Sequence, residues 1–567
     1  MINVLIEHID IWVTAQTTKI SGRVNGANNH SPYGIRKLRE LILKLAVRGK
    51  LVPQDPADEP ASVLLEKIAE EKERLINRSK IKKQKSLIEI QDDEKQLELP
   101  QGWAYTRYGD LFSLRKGKIP KTLSGENIGL PYLDIEALDR DNILRYTDDK
   151  KCPLSTDEDI LVVCDGSRSG LVLNGKNGVV GSTLAVIDTP KSIQSYVKLL
   201  FQEAFQRLNT SMKGAAIPHL DTKNLIVDVI GLPPQNEQHR IVVKVNELMG
   251  LCDQLEQQQT DSDATHQTLV ETLLATLTNS TDQNDFAEAW QRIANHLDNL
   301  FTTENRIDQL RQTILHLAVM GKLVPQEPND EPANVLLQKI GREKARLVEE
   351  EGLRTTAKIE IDPREEYIHR QAGWEYCRLG NLAKFVDYRG RTPMKIESGV
   401  PLITAKNVRS GFISREPQEF ISENEYEVWM TRGFPKVGDI LFTTEAPLGN
   451  VALVDIEEIF ALAQRVICFQ LHEPDTAPFL KVVMMSRPFQ EQLTHLATGM
   501  TATGIKSAKL KEIPVPIPPL AEQHRIVAKV DRLMALCDTL KSRLNEIQAT
   551  QVQLADAVVE QVTLLRK

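Results

Sequence analysis

The ten residues LAVRGKLVPQ, Leu45 to Gln54, return almost unchanged as LAVMGKLVPQ, Leu317 to Gln326. A single return after so long an interval means two copies of a domain-sized unit, because stacked repeat arrays have periods of roughly 20 to 50 residues. The likeness comes in two blocks. Glu40 to Leu75 aligns without a gap to Gln312 to Leu347, an offset of 272 residues; Pro233 to Leu255 matches Pro518 to Leu540 at an offset of 285. The change of offset shows that the stretch between the blocks differs in length, and there the likeness almost vanishes. Two near-identical frames thus enclose two divergent inserts, Leu99 to Leu232 and Ala372 to Ile517.

The frames read as helices. Ile241, Val245, Leu248, Cys252 and Leu255 recur at alternating spacings of four and three, and Ile526, Val530, Leu533, Cys537, Leu540 and Leu544 do the same. That period is the seam of helices packed along their length. Paired prolines ahead of each seam fit a helix entry, and Glu237 and Glu522 fall in the first turn, where a carboxylate suits the helix dipole. In the other block, Leu38, Leu41, Ile42, Leu45 and Ala46 form an apolar stripe ended by Gly49, with Pro53 and Pro56 beyond it. A second helix begins near Asp58 to Pro60 and carries Leu64, Ile68 and Leu75; Asp330, Pro332, Leu336, Ile340 and Leu347 repeat it. A seam helix of about 35 residues would span about 50 Å and needs a partner. The order of segments supplies one, since the C-terminal helix is left to pair with the N-terminal block. The expected object is an α+β protein, a rod of long antiparallel coiled-coil helices with an α/β insert domain at each end and an internal pseudo-two-fold repeat.

Each insert opens on a tryptophan in a turn, Trp103 and Trp374, followed by a basic loop, LRKGKIPK at Leu114 to Lys121 and YRGRTPMK at Tyr388 to Lys395. Strand-like runs follow at Asp159 to Asp165, Gly178 to Ile187, Gly438 to Val454 and Arg465 to Leu471. Such loops can bring Lys, Arg and backbone N–H groups to phosphates. A net charge of −8 argues mildly against a free-standing DNA binder, but acids crowd the helical segments and leave the inserts free to be locally basic.

Chemistry of other kinds is missing. There is no HExxH, no GxSxG and no GxGxxG opening a helix after a strand. Gly170 to Asn177 imitates a phosphate loop but lacks its Ser or Thr. The six cysteines contain no CxxC pair, and Cys252 and Cys537 fit small buried hydrophobes. His239 and His524, equivalent residues at helix starts, read as capping or interface histidines. No apolar run is long enough to span a bilayer, and the N-terminus does not read as a signal peptide, so no membrane role and a cytoplasmic location are expected.

The plan of frame, insert, frame, insert, with LAVxGKLVPQ and PPxxEQHRIVxKV each present twice and a GW turn opening each insert, resembles the specificity subunit of type I restriction-modification systems. The resemblance runs from Tyr33 to Lys567 and looks closest to the class B branch. It implies an N-terminal extension at 1–34, helical frames at 35–98, 233–371 and 518–567, and target recognition domains at 99–232 and 372–517. Each recognition domain would read half of an asymmetric, bipartite site in double-stranded DNA, while the helices set the gap and dock two modification subunits. The chain itself would be non-catalytic and hold no cofactor. S-adenosylmethionine, ATP and magnesium would belong to the modification and restriction subunits. The resemblance does not reach single residues; by chemistry the DNA-binding candidates are Lys116, Lys118, Lys121 and Arg168 in the first domain and Arg389, Arg391, Lys406 and Arg409 in the second, Arg suiting guanine and Lys phosphate. Two other readings compete. A coiled-coil scaffold that never reads DNA would show no sequence-dependent binding. A fused methyltransferase-nuclease would need an (N/D/S)PP(Y/F/W) motif, and PPQN and PPLA do not supply it.

Overall fold

The computed structural model describes residues 7–15, 32–77, 88–95, 98–149, 151–210, 219–351, 361–388, 393–499 and 503–564. The chain forms two compact halves, one of residues 1–262 with 546–567, the other of 263–545. Both are built to one recipe.

In the first half, the helix Tyr33–Val47 ends where Gly49 turns left-handed at φ 65°, and Ala61–Asn77 follows after the proline break. Its stripe of Ile35, Leu38, Leu41, Ile42 and Leu45 packs in one core with Ile241, Val245, Leu248 and Cys252. Those four lie on the first long helix, Gln235–Asn279. Ala555, Val558, Val559 and Val562 complete the core from the far end of the second long helix, Leu520–Leu564.

The second half reverses the contributions. Ile307, Leu310, Ile314 and Leu317 of the helix Glu304–Val319 pack with Ile526, Val530, Leu533 and Cys537 of the second long helix, and Val270, Leu274 and Leu277 arrive from the end of the first. The C-terminal helix therefore does join the N-terminal block. Each long helix has 45 residues, about 67 Å, longer than the apolar seam alone suggests. The seam breaks off because mid-helix positions such as Asp261, Ser262 and Ala264 are exposed, so they need no apolar residue. Among the described residues no helix is long and apolar enough to cross a membrane.

The inserts share a topology that their sequences conceal. In the first, a four-stranded antiparallel sheet runs Ser113–Lys116, Leu184–Asp188, Ile160–Val163, Val172–Asn174. In the second the corresponding order is Ala383–Asp387, Val466–Leu471, Ile440–Thr444, Leu448–Leu453. The central strands Ile160–Val163 and Ile440–Thr444 are buried at every residue, which explains their unbroken apolar runs. A smaller sheet also recurs, with a parallel pair at its heart: Leu130–Leu133 beside Gly178–Val180, and Val400–Ile403 beside Ala461–Leu462. The segment Leu114 to Lys121 is thus a loop only beyond Lys116, its start being strand.

Short antiparallel ribbons tie the two ends of each insert together, Ala104–Arg107 with Val229–Leu232 and Glu375–Arg378 with Pro514–Ile517. One buried cluster then fixes ribbon to frame, twice. Trp103 Nε1 donates to Glu237 Oε2 at 3.0 Å, and Trp374 Nε1 to Glu522 Oε2 at 3.0 Å. One turn on, Arg240 pairs with Asp58 at 2.7 Å and Arg525 with Asp330 at 2.6 Å. The two first-turn glutamates therefore serve a tryptophan more than a dipole. Burial raises both carboxyls, Glu522 up to about 7, where a dipole alone would lower them. His239 and His524 are both exposed, at helix positions that point away from the seam, so neither packs within the frame.

Candidate nucleic-acid interface

Five strands of the first insert reach one edge, as the hydrogen bonds at and beyond their ends show. Gly117 N donates to Leu184 O at 2.9 Å, Cys164 N to Thr183 O at 2.8 Å, and Gly181 N to Leu133 O at 2.8 Å. Gly117 allows this convergence, since a Cβ there would lie 2.1 Å from Gly181 O. Lys116 ends its strand at this edge and pairs with Asp165 at 3.2 Å. His219 Nδ1 lies 2.6 Å from the other oxygen of the same carboxylate. Burial alone would raise the Asp165 carboxyl, but His219 and Lys116 hold it below its ordinary value.

The first-domain candidates distribute unevenly about this edge. Lys118 is exposed beside it, its backbone N–H on Val180 O at 3.2 Å. Arg168 sits in the turn after Asp165, half-buried, with its guanidinium on Asp139 at 2.9 Å. Lys121 is exposed but lies further along the chain, where its N–H donates to Asp149 at 3.0 Å. Lys116 and Lys118 therefore lie at this edge, with Arg168 in the turn after Asp165 and Lys121 in the segment beyond Lys118.

The second insert makes the same edge from different residues. Ala463 N donates to Ile403 O and Thr444 N to Arg465 O, each at 2.9 Å, which sets the loop after Ile403 beside the turn after Thr444. Lys406 and Arg409 are exposed on that loop. The loop is braced by Asn407, 1% exposed, whose side chain accepts from Thr404 N at 3.0 Å and donates to Ser414 O at 3.1 Å and Pro417 O at 3.0 Å. A cationic tip on a pinned loop loses little conformational freedom when it binds. Arg389 and Arg391 lie outside the described residues. Two residues of the edge had no sequence signal, His219 and Arg465, the latter paired with Glu445 at 3.0 Å. Only strand pairing brings them there. Among the described residues no group of three His, Cys, Asp or Glu is placed to hold a metal.

Duplicated helical frames that carry two domains of one topology, each with a differently furnished polar edge, define a bipartite recognition protein. The comparisons with known proteins specify which. The model of the type I restriction modification DNA specificity domain matches residues 100–262 and 371–549. The EcoAI and EcoEI specificity subunits of Escherichia coli are each 35% identical to this chain, with 98% of both chains covered. The MjaVIII specificity subunit of Methanocaldococcus jannaschii is 24% identical over 82% of this chain and 93% of its own length. This chain belongs to the family of type I restriction-modification DNA specificity subunits.

Proposed function

We propose that the inserts at 99–232 and 372–517 are target recognition domains that each read one half of a bipartite, asymmetric site in double-stranded DNA, through the strand edge described above. The observation that carries this is the contrast between the copies. The frame repeats to the level of single hydrogen bonds, while the edge repeats in topology and changes in residues: Lys116, Lys118 and Arg168 in one domain, Lys406 and Arg409 in the other. Identical mounts suit two identical partners, and unlike edges suit two unlike half-sites. The frames at 35–98, 233–371 and 518–567 would set the spacing and dock two modification subunits. The chain is non-catalytic in this reading. Methyl transfer from S-adenosylmethionine and ATP- and magnesium-dependent translocation and cleavage fall to the modification and restriction subunits, in the cytoplasm.

The test is binding by the chain assembled with its modification subunits, using duplexes in which one half of the mapped target is scrambled. Arg409→Ala should weaken cognate binding by about ten-fold or more and lose discrimination at one half-site alone. Equal weakening on unrelated DNA would reduce Arg409 to a phosphate contact. Sequence-independent behaviour of the unaltered complex would leave only the scaffold reading.

A further inference from the structure

Two carboxylates occupy one topological position in inserts that share almost no sequence. Leu220 N donates to Cys164 O at 2.8 Å, and Ile505 N to Thr444 O at 3.0 Å, so the residues that follow, Asp165 and Glu445, correspond. Each also forms the same isolated bridge, Asp165 with His219 and Glu445 with Gly504. Both carry an ion pair at the edge, but the cation comes from different strands. Asp165 takes Lys116, from the end of the outer strand Ser113–Lys116; Glu445 takes Arg465, just ahead of Val466–Leu471. Arg465 is held at φ 79°, a left-handed backbone that costs a non-glycine residue energy and persists only when its surroundings impose it. The acid is constant and the cation moves.

An acid on a surface that meets a polyanion weakens binding to all DNA, so its presence in both domains calls for a compensating role. The side chains of Asp165 and Glu445 are 17% and 34% exposed, sheltered enough to fix a partner and open enough to repel a phosphate. We infer that Asp165 and Glu445 are specificity-determining residues, each positioning its domain's edge cation for reading and disfavouring DNA that does not satisfy that cation. This rests on the reading that the edge faces DNA. A matched base or phosphate engages the cation and compensates for the acid. An unmatched duplex meets the acid without that return.

The experiment uses the full chain in complex with its modification subunits and measures affinity across a salt series for the cognate duplex, for duplexes with either half-site scrambled, and for an unrelated duplex. Asp165→Asn is expected to tighten binding to unrelated DNA, to steepen its salt dependence by about one ion, and to cut discrimination at one half-site about ten-fold, a loss of the size expected for one charge-assisted bond. Glu445→Gln should do the same at the other half-site only, and Asp165→Glu should restore discrimination. Unchanged ratios and salt slopes in Asp165→Asn, with Lys116→Ala still weakening DNA binding, would overturn the inference and leave the edge reading intact. If Lys116→Ala is also without effect, the edge reading falls with it. Equal loss at both half-sites together with a lowered Tm would make Asp165 a folding residue and likewise overturn the inference.

Discussion

At Glu522 a single carboxyl links the helical frame, the tryptophan turn and the pH dependence of the fold. It lies in the first helical turn, 1% exposed, accepting Trp374 Nε1, with Arg525 and Asp330 paired one turn away. Burial lifts it from 4.5 to about 7, against the opposing pull of Trp374 and Arg525. The folded chain therefore keeps a proton that the unfolded chain releases above about pH 4.5. Stability from this group is complete below that pH and is lost as pH rises through about 7. Glu237 contributes in the same direction in the other copy. Glu522→Gln keeps an oxygen for Trp374 but cannot titrate. Its Tm, followed from pH 5 to 8, should fall a few degrees less than that of the unaltered chain; an identical slope would show that Glu522 is ionised throughout.

At the scale of elements, the short helix Ile9–Thr14 and the helix Tyr33–Val47 meet backbone to backbone in the first half. Trp12 is wholly buried, Gly34 N donates to Ala15 O at 3.0 Å, and a Cβ on Gly34 would stand 2.2 Å from Trp12 O. Backbone cannot yield there as a side-chain tip can. Gly34→Ala should cost about 1–3 kcal/mol, the usual range for overpacking, and should speed proteolysis near Trp12 before the rest of the chain is cut. A glycine inside a helix stripe gave no hint of this in the sequence, where its neighbours read simply as apolar periodicity. The duplicated helices were legible because a repeat states each of them twice and because Gly49, Pro53 and Pro60 mark ends in the first copy. The common topology of the inserts was not legible. It depends on strands of two to six residues whose pairing is set by distant partners, such as Tyr132 with Val179 and Leu402 with Ala461. For the same reason the exposed cations could be chosen by residue type, whereas the Asp165–Lys116–His219 and Glu445–Arg465 groupings could not.

Over the whole molecule, the two cores are each completed by the end of a helix that begins in the other. Ala555, Val558, Val559 and Val562 belong to the first core, and Asp556 accepts Tyr33 Oη at 2.7 Å and pairs with Lys37 at 3.2 Å. The C-terminal segment is thus part of the N-terminal half, and the duplication cannot be cut into two independent copies at any single point in the chain. Consider a chain ended after Asn545. Its second half retains every residue assigned to that half, 263–545, while its first half loses a wall of four apolar side chains and the Tyr33 and Lys37 partner. Removing buried aliphatic groups costs about 1 kcal/mol or more each, enough to open the first half locally without unfolding the second. Hydrogen exchange should therefore rise in the helix Tyr33–Val47 and around Trp12, while Glu304–Val319 and the strands Ile440–Thr444 and Val466–Leu471 keep their protection. Uniform loss of protection across both halves would show instead that they fold as a single cooperative unit.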